Sequence, residues 1–185
     1  MSNEIVATKK PSALATITPV IVLVVICVVA GVLLGAVNYV TAPVAAAVAE
    51  QQAQETYAAL VPDAASFEDV DCDVENCTAA LQALDASGNP IGYIFVTQAK
   101  GYGGQVPLAF AFDTEGNVTN VTAMANEETP GLGSRITDFV EGWFVGRGAQ
   151  SITIEDIDAI SGATISSRAS VNAFNVAVQA FEEVQ

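Results

Sequence analysis

An uncharged apolar run near the N-terminus constrains this chain more than any other feature of its sequence. From Ile17 to Val37 it reads ITPVIVLVVICVVAGVLLGAV, 21 residues without a charged side chain. A helix rises about 1.5 Å per residue, so this run just crosses a hydrocarbon core of roughly 30 Å. The sequence therefore predicts a single transmembrane helix over residues 13–40. A cleaved signal peptide is the alternative, but signal h-regions are shorter, about 7–15 residues.

The distribution of charge predicts the orientation of this helix. Residues 1–12, with Lys9 and Lys10, carry a net charge of +1, whereas the rest of the chain holds four basic and twenty acidic side chains, a net charge of −16. By the positive-inside rule the N-terminus stays in the cytoplasm and the C-terminal domain is extracytoplasmic. We expect a single-pass protein of the cell (inner) membrane. The acidity argues against nucleic-acid binding, which needs a basic surface.

Scarce residue types exclude several kinds of active site. The chain contains no histidine and three cysteines: Cys27, Cys72 and Cys77. Serine–histidine triads and imidazole metal sites are therefore excluded. Three cysteines are too few for a zinc or iron–sulfur centre held by four thiolates. We expect no metal site, so that any redox chemistry requires a bound organic cofactor.

The rest of the chain is predicted to form a connector and one domain. Residues 41–62 are rich in alanine and glutamine, which favours a helical connector ended by Pro62. Residues 63–185 form the domain. Alternating segments separated by short turns predict an antiparallel meander. Its strands are expected at residues 78–86, 91–98, 106–113 and 117–124.

Helices flank this predicted meander. A short helix is expected around Arg135–Phe144, a strand near Ser151–Glu155, and a final helix from about Ser166 to Glu183. Apolar residues recur at helical spacing in the last segment, which gives that helix one buried face. Strands in series with helices at the ends indicate an α+β fold with a mainly antiparallel sheet and flanking helices.

Three short segments carry the candidate chemistry: GYGG at 101–104, ETPGLG at 128–133 and DAISGATISS at 158–167. Each alone has an ordinary explanation. Glycine clusters form turns, Pro-Gly suits a type II turn, and Ser166 or Ser167 is a natural N-cap. The third segment also has a feature that favours phosphate binding. Thr164 is placed just before a helix N-terminus, where unpaired amides favour an anion such as phosphate.

Neighbouring residues strengthen this interpretation of Thr164. The hydroxyls of Ser166 and Ser167 add hydrogen-bond donors, and Arg168 adds a cation. Gly162 and Ala163 leave the threonine hydroxyl uncrowded. A Walker loop is excluded, because there is no Gly-Lys-Ser/Thr.

In content and order, the three segments resemble those of FMN-binding domains in the G subunit of the Rnf ion-translocating complex and the related C subunit of the sodium-translocating NADH:quinone reductase (Nqr). The resemblance covers nearly the whole chain. It implies FMN bound covalently by a phosphoester to Thr164, installed by a separate flavin transferase that recognises Asp158. The other cofactor-binding residues that it implies are Ser161, Gly162, Ala163, Ser166, Ser167, Glu128, Thr129, Gly131, Leu132, Tyr102 and Gly103.

The function implied is that of an electron-transfer subunit in a membrane-bound, ion-translocating ferredoxin:NAD+ oxidoreductase, with other membrane subunits of the Rnf complex as partners. Two alternatives stay open: a flavin subunit of an Nqr-type or other extracytoplasmic reductase, and a non-redox membrane-anchored binding module. Ser166 stands where the family often has threonine, and the short chain favours Rnf over Nqr.

Cys72 and Cys77 belong to none of these motifs. Outside the cytoplasm a disulfide is the default state of such a pair, and we name it as the candidate disulfide. Closing so short a loop contributes roughly 2 kcal/mol by the chain-entropy estimate. An additional redox pair is the alternative.

Overall fold

The computed structural model describes residues 13–124, 135–159 and 162–185. They divide into two units, Met1–Ala53 and Gln54–Gln185. Helix α1 (Ala13–Leu60) is continuous over 48 residues and ends two residues before Pro62. An 18-residue window in it has a mean hydropathy of 3.3 and is 0% buried. Among the described residues, α1 is the one helix long and apolar enough to span a membrane.

A five-stranded antiparallel sheet forms the centre of the second unit. Its strands are β1 (Ser66–Asp69), β2 (Cys77–Leu84), β3 (Pro90–Lys100), β4 (Gln105–Asp113) and β5 (Val118–Ala123), and they are neighbours in that order. The predicted meander is therefore confirmed. It has one more strand, β1, which the sequence did not indicate because it is short and mostly exposed.

Two hairpin turns with the same Asp-x-x-Gly-Asn sequence join β2 to β3 and β4 to β5. In the first, the Asp85 carboxylate accepts the backbone N–H groups of Ser87 and Asn89 at 2.7 and 2.9 Å. The bonds from the Asn89 backbone and side chain lower the pKa of Asp85. Asp113 accepts the matching bonds at residues 115 and 117. In both turns the glycine has a φ above +80°, a conformation that glycine adopts without strain.

Helices α2 (Arg135–Phe144) and α3 (Thr164–Val184) are packed against this sheet. Helix α3 lies mainly against β3 and β4. The buried Thr97 hydroxyl on β3 donates to the carbonyl oxygen of Ala173 at 2.8 Å, which ties the sheet to the middle of this helix. The predicted α+β fold is confirmed.

Aromatic rings fill the space between the sheet and the two helices. Phe110 of β4, Phe144 of α2 and Phe174 of α3 are fully buried. Their ring centroids lie 5.7, 5.6 and 4.8 Å apart in the three pairings. A second group joins Phe181 of α3 to Phe112 of β4 at 5.3 Å. Aromatic pairs at these distances stabilise a core beyond the area that they bury.

The predicted strand near Ser151–Glu155 is wrong. A 3₁₀ turn occupies Ile154–Asp156, and Thr153 before it is extended, but the segment joins no sheet in the part of the chain that the structure describes. The reason is a side chain on α3: the Asn175 amide accepts the N–H of Ile152 at 2.9 Å and donates to its carbonyl at 2.8 Å. The amide thus supplies both bonds that a neighbouring strand would have made.

Candidate functional site

The third motif leads into the first turn of α3. The helix begins at Thr164, two residues earlier than predicted, so Thr164 is its first residue rather than a residue before it. Gly162 precedes it with φ of +82°. Ala163 is the N-cap residue, which corrects the assignment of that role to Ser166 or Ser167. The Ser167 N–H donates to the Ala163 carbonyl at 2.9 Å, the first bond of the helix.

Burial divides this turn into an outer and an inner side. Thr164, Ile165 and Arg168 are exposed, whereas Ser166 is 4% and Ser167 0% exposed. The Ser167 hydroxyl donates to the Ala163 carbonyl at 3.1 Å. Both serines therefore face the core, whereas Thr164 lies at the surface. A direct contact between either serine and a phosphate stays a prediction.

This arrangement suits a phosphate attached to Thr164. An alanine at the N-cap has no side-chain oxygen, and no side-chain cap bond is formed there. The first amides of a helix point toward an N-terminal ligand, and the helix dipole favours an anion at that end. The two residues before the threonine are small, and Gly162 is left-handed. The residues of this turn therefore fit the phosphate end of FMN.

The segment before the motif is held by two sets of hydrogen bonds. Asn175 binds Ile152, as described above. The Asp156 carboxylate accepts the backbone N–H and the hydroxyl of Thr153 at 2.7 and 2.8 Å, and these bonds lower the pKa of Asp156. Asp158 follows and is exposed, which leaves it accessible to another protein. Sequence reasoning missed Asn175; its signal was an amide-bearing, poor helix former in the middle of a long helix.

The other predicted contacts lie on separate elements or outside the described residues. Tyr102 and Gly103 occupy the turn between β3 and β4, where the Gly101 N–H donates to the Gly104 carbonyl at 2.8 Å. Tyr102 is 75% exposed. Its predicted contact with a flavin is not tested by this geometry. Five predicted contacts fall outside the described residues: Glu128, Thr129, Gly131, Leu132 and Ser161.

The two cysteines of the CDVENC segment lie close together. Both are free thiols in this structure and are half-buried at the edge of the core. Burial, the neighbouring Cys72 and its hydrogen bond raise the pKa of Cys77 to about 12. A small cavity of about 260 Å³ is lined by both cysteines and by residues of β1 and β2. The pair is thus placed where a disulfide can form, and the disulfide stays a prediction.

Comparison with known proteins connects these features. Residues 101–179 match the model of the FMN-binding domain family. This range begins at the Tyr102 turn and contains Asp158, Thr164 and Asn175. The crystal structure of Shewanella oneidensis NqrC aligns with a TM-score of 0.43 and 19% identity, covering 67% of this chain and 72% of that one.

Curated relatives match over most of the chain. It is 32% identical to the G subunit of the proton-translocating ferredoxin:NAD(+) oxidoreductase complex of Clostridium ljungdahlii, with 83% of this chain and 84% of the relative covered. It is 36% identical to the G subunit of the ion-translocating oxidoreductase complex of Methanosarcina acetivorans, with 70% and 74% covered. The G subunit of the Na(+)-translocating ferredoxin:NAD(+) oxidoreductase complex of Acetobacterium woodii is 28% identical, with 89% and 90% covered.

Proposed function

We propose that this chain, which belongs to the family of G subunits of ion-translocating ferredoxin:NAD(+) oxidoreductase (Rnf) complexes, is a membrane-anchored electron carrier that holds FMN covalently on Thr164. The observation that carries this proposal is the exposed Thr164 at the start of a core helix, inside the segment that matches an FMN-binding domain. The resemblance to the Rnf G subunit is confirmed by the relatives from Clostridium and Methanosarcina.

Each part of the first turn has a role in holding the cofactor. The Thr164 hydroxyl forms the phosphoester, and the positive N-terminal end of α3 stabilises the negative charge of the phosphate. The buried part of α3 keeps this turn in place. FMN supplies one- and two-electron chemistry when bound. No cluster of metal-ligating side chains is found among the described residues.

The membrane anchor and its orientation complete the proposal. Helix α1 spans the membrane, and the two lysines before it keep the N-terminus in the cytoplasm, so the FMN-binding domain lies on the outer side. A flavin transferase must then act there, on a domain that presents Asp158 and Thr164 at its surface. Other membrane subunits of the complex supply the electron donor and acceptor. The relatives are named for different ions, so the similarity favours neither Na⁺ nor H⁺.

Coexpression with a flavin transferase tests attachment and orientation together. The full chain should run as a fluorescent band on a denaturing gel when the transferase is exported, and as a dark band when the transferase lacks its export signal. Thr164→Ala should be non-fluorescent at normal abundance, because the only hydroxyl that bonds FMN is gone. Mass analysis of the peptide around Thr164 should show the added FMN.

Thr114→Ala is the matched control, since it removes another exposed threonine from the same domain. It should keep its fluorescence. Covalent flavin in Thr164→Ala would reject the attachment site. Flavin that forms only with a cytoplasmic transferase would reverse the orientation, and a dark band in every case would leave no basis for a covalent carrier.

A further inference from the structure

The charged side chains near the ends of α3 have the opposite sign to those that the helix dipole favours. The N-terminal end of a helix is partly positive and the C-terminal end partly negative, so acidic residues are favoured in the first turn and basic residues in the last. Helix α3 has neither. Instead, Arg168 is the fifth residue of the helix, and Glu182 and Glu183 lie in its last turn.

The structure shows what offsets the reversed charge at the C-terminal end. Glu183 Oε1 accepts the backbone N–H of Asp73 at 2.9 Å. The N-terminal end differs. Arg168 is exposed, and its side chain forms no hydrogen bond or ion pair with any residue that the structure describes. This cation, the single basic residue between residue 148 and the C-terminus, therefore lies near a positive helix end in a strongly acidic domain.

Arg168 lies on the same side of α3 as Thr164. Residues four apart in a helix are neighbours on one face, with Cβ atoms about 5–6 Å apart. Helical side chains also lean toward the N-terminus, so the long arginine side chain extends in the direction of Thr164. Both residues are exposed, whereas Ser167 between them is buried. An anion on Thr164 would lie within reach of the guanidinium.

We propose that the Arg168 guanidinium pairs with the phosphodiester that joins FMN to Thr164, an inference that rests on the proposed attachment. A phosphodiester carries one negative charge, and it neutralises both the guanidinium and the positive helix end. Arginine suits this role because its planar group donates two parallel bonds to phosphate oxygens. Arg168 is thus a positioning residue for the phosphate end of the flavin, and its unfavourable placement in the chain without FMN is relieved when FMN is attached.

The test compares Arg168→Gln in two states of the full chain in detergent micelles, with and without covalent flavin. Thermal unfolding is followed by the fluorescence of Trp143, the single tryptophan. In the flavinylated chain the substitution should lower Tm by about 3 °C, because an ion pair is lost. In the chain made without transferase, Tm should stay unchanged or rise by about 1 °C, because a cation near the positive helix end is removed.

A second variant separates contact from net charge. Asn172 is exposed one turn further along α3, so Arg168→Gln/Asn172→Arg restores the charge about 12 Å from Thr164 along the helix axis instead of about 6 Å. The flavinylated double variant should melt as low as Arg168→Gln. Recovery of Tm in it would mean that only net charge matters and would overturn the pairing.

Two further outcomes would also overturn it. Equal Tm shifts with and without flavin would mean that Arg168 acts independently of the phosphodiester. A folded Arg168→Gln chain that cannot be flavinylated would assign Arg168 to recognition by the transferase. Absence of covalent flavin from the unsubstituted chain would instead reject the attachment to Thr164 and the pairing with it, whereas equal shifts in a flavinylated chain reject the pairing alone.

Discussion

The exposed start of α3 and the rest of that helix have different surroundings. Thr164 and Ile165 are exposed, and the N-cap residue Ala163 forms no side-chain cap bond. From Ser166 onward one face of the helix is buried, and Phe174 and Phe181 enter the aromatic core. A group attached at Thr164 is therefore held by an element that is fixed elsewhere. This division predicts that substitutions in the buried part change stability, and that substitution of the exposed Thr164 changes cofactor attachment.

Phe174→Ala should have the largest effect on stability. The ring is fully buried and lies against Phe110 and Phe144, and removing such a ring costs about 3–5 kcal/mol through lost burial and the cavity left behind. Urea unfolding of the full chain in micelles, followed by Trp143 fluorescence, measures it.

Ile165→Ala is the control for that experiment, because it removes an apolar side chain from the exposed end of the same helix. Its side chain is 53% exposed, so the free energy of unfolding should change by less than about 0.5 kcal/mol. Comparable decreases in the free energy of unfolding in the two variants would mean that Ile165 contributes as much to stability as Phe174. The proposed difference between the exposed start of α3 and its buried part would then be wrong.

Asn175→Ala should have an intermediate effect. The substitution leaves the N–H and carbonyl of Ile152 without their partner, and unpaired, partly buried backbone groups cost about 1–3 kcal/mol. Hydrogen exchange should also become faster at Ile152, because that amide is then open to water. Gln179→Ala, an exposed position one turn further along, should leave both measurements unchanged. Unaltered exchange at Ile152 in Asn175→Ala would mean that the segment is held by other contacts.

The sequence predicted the parts of the fold that local chemistry decides. The short turns at Ser-Gly-Asn-Pro and Thr-Glu-Gly, with the alternation beside them, were sufficient to locate β2 to β5. The prediction of a strand at Ser151–Glu155 was wrong because the backbone groups of Ile152 bind the side chain of Asn175, 23 residues away in sequence, and not a neighbouring strand. The start of α3 was misplaced because an alanine, which gives no capping signal, is the N-cap. In the site, residue types indicated Thr164, but only packing shows that Ser166 and Ser167 face inward.

Ser167→Ala should have the smallest effect on stability. It tests whether the buried side of the first turn takes part in holding the cofactor. The Ser167 hydroxyl donates to the carbonyl four residues earlier, and so does that of Ser170, at 3.1 Å in each case. Both side chains are 0% exposed. Because alanine is a better helix former than serine, losing this bond should change the free energy of unfolding by less than about 1 kcal/mol in either variant. Both variants should retain covalent flavin in the gel assay, because both hydroxyls are buried and donate to backbone carbonyls. Loss of flavin from Ser167→Ala but not from Ser170→Ala would show that the Ser167 hydroxyl turns to the phosphate, which is the contact that the sequence predicted.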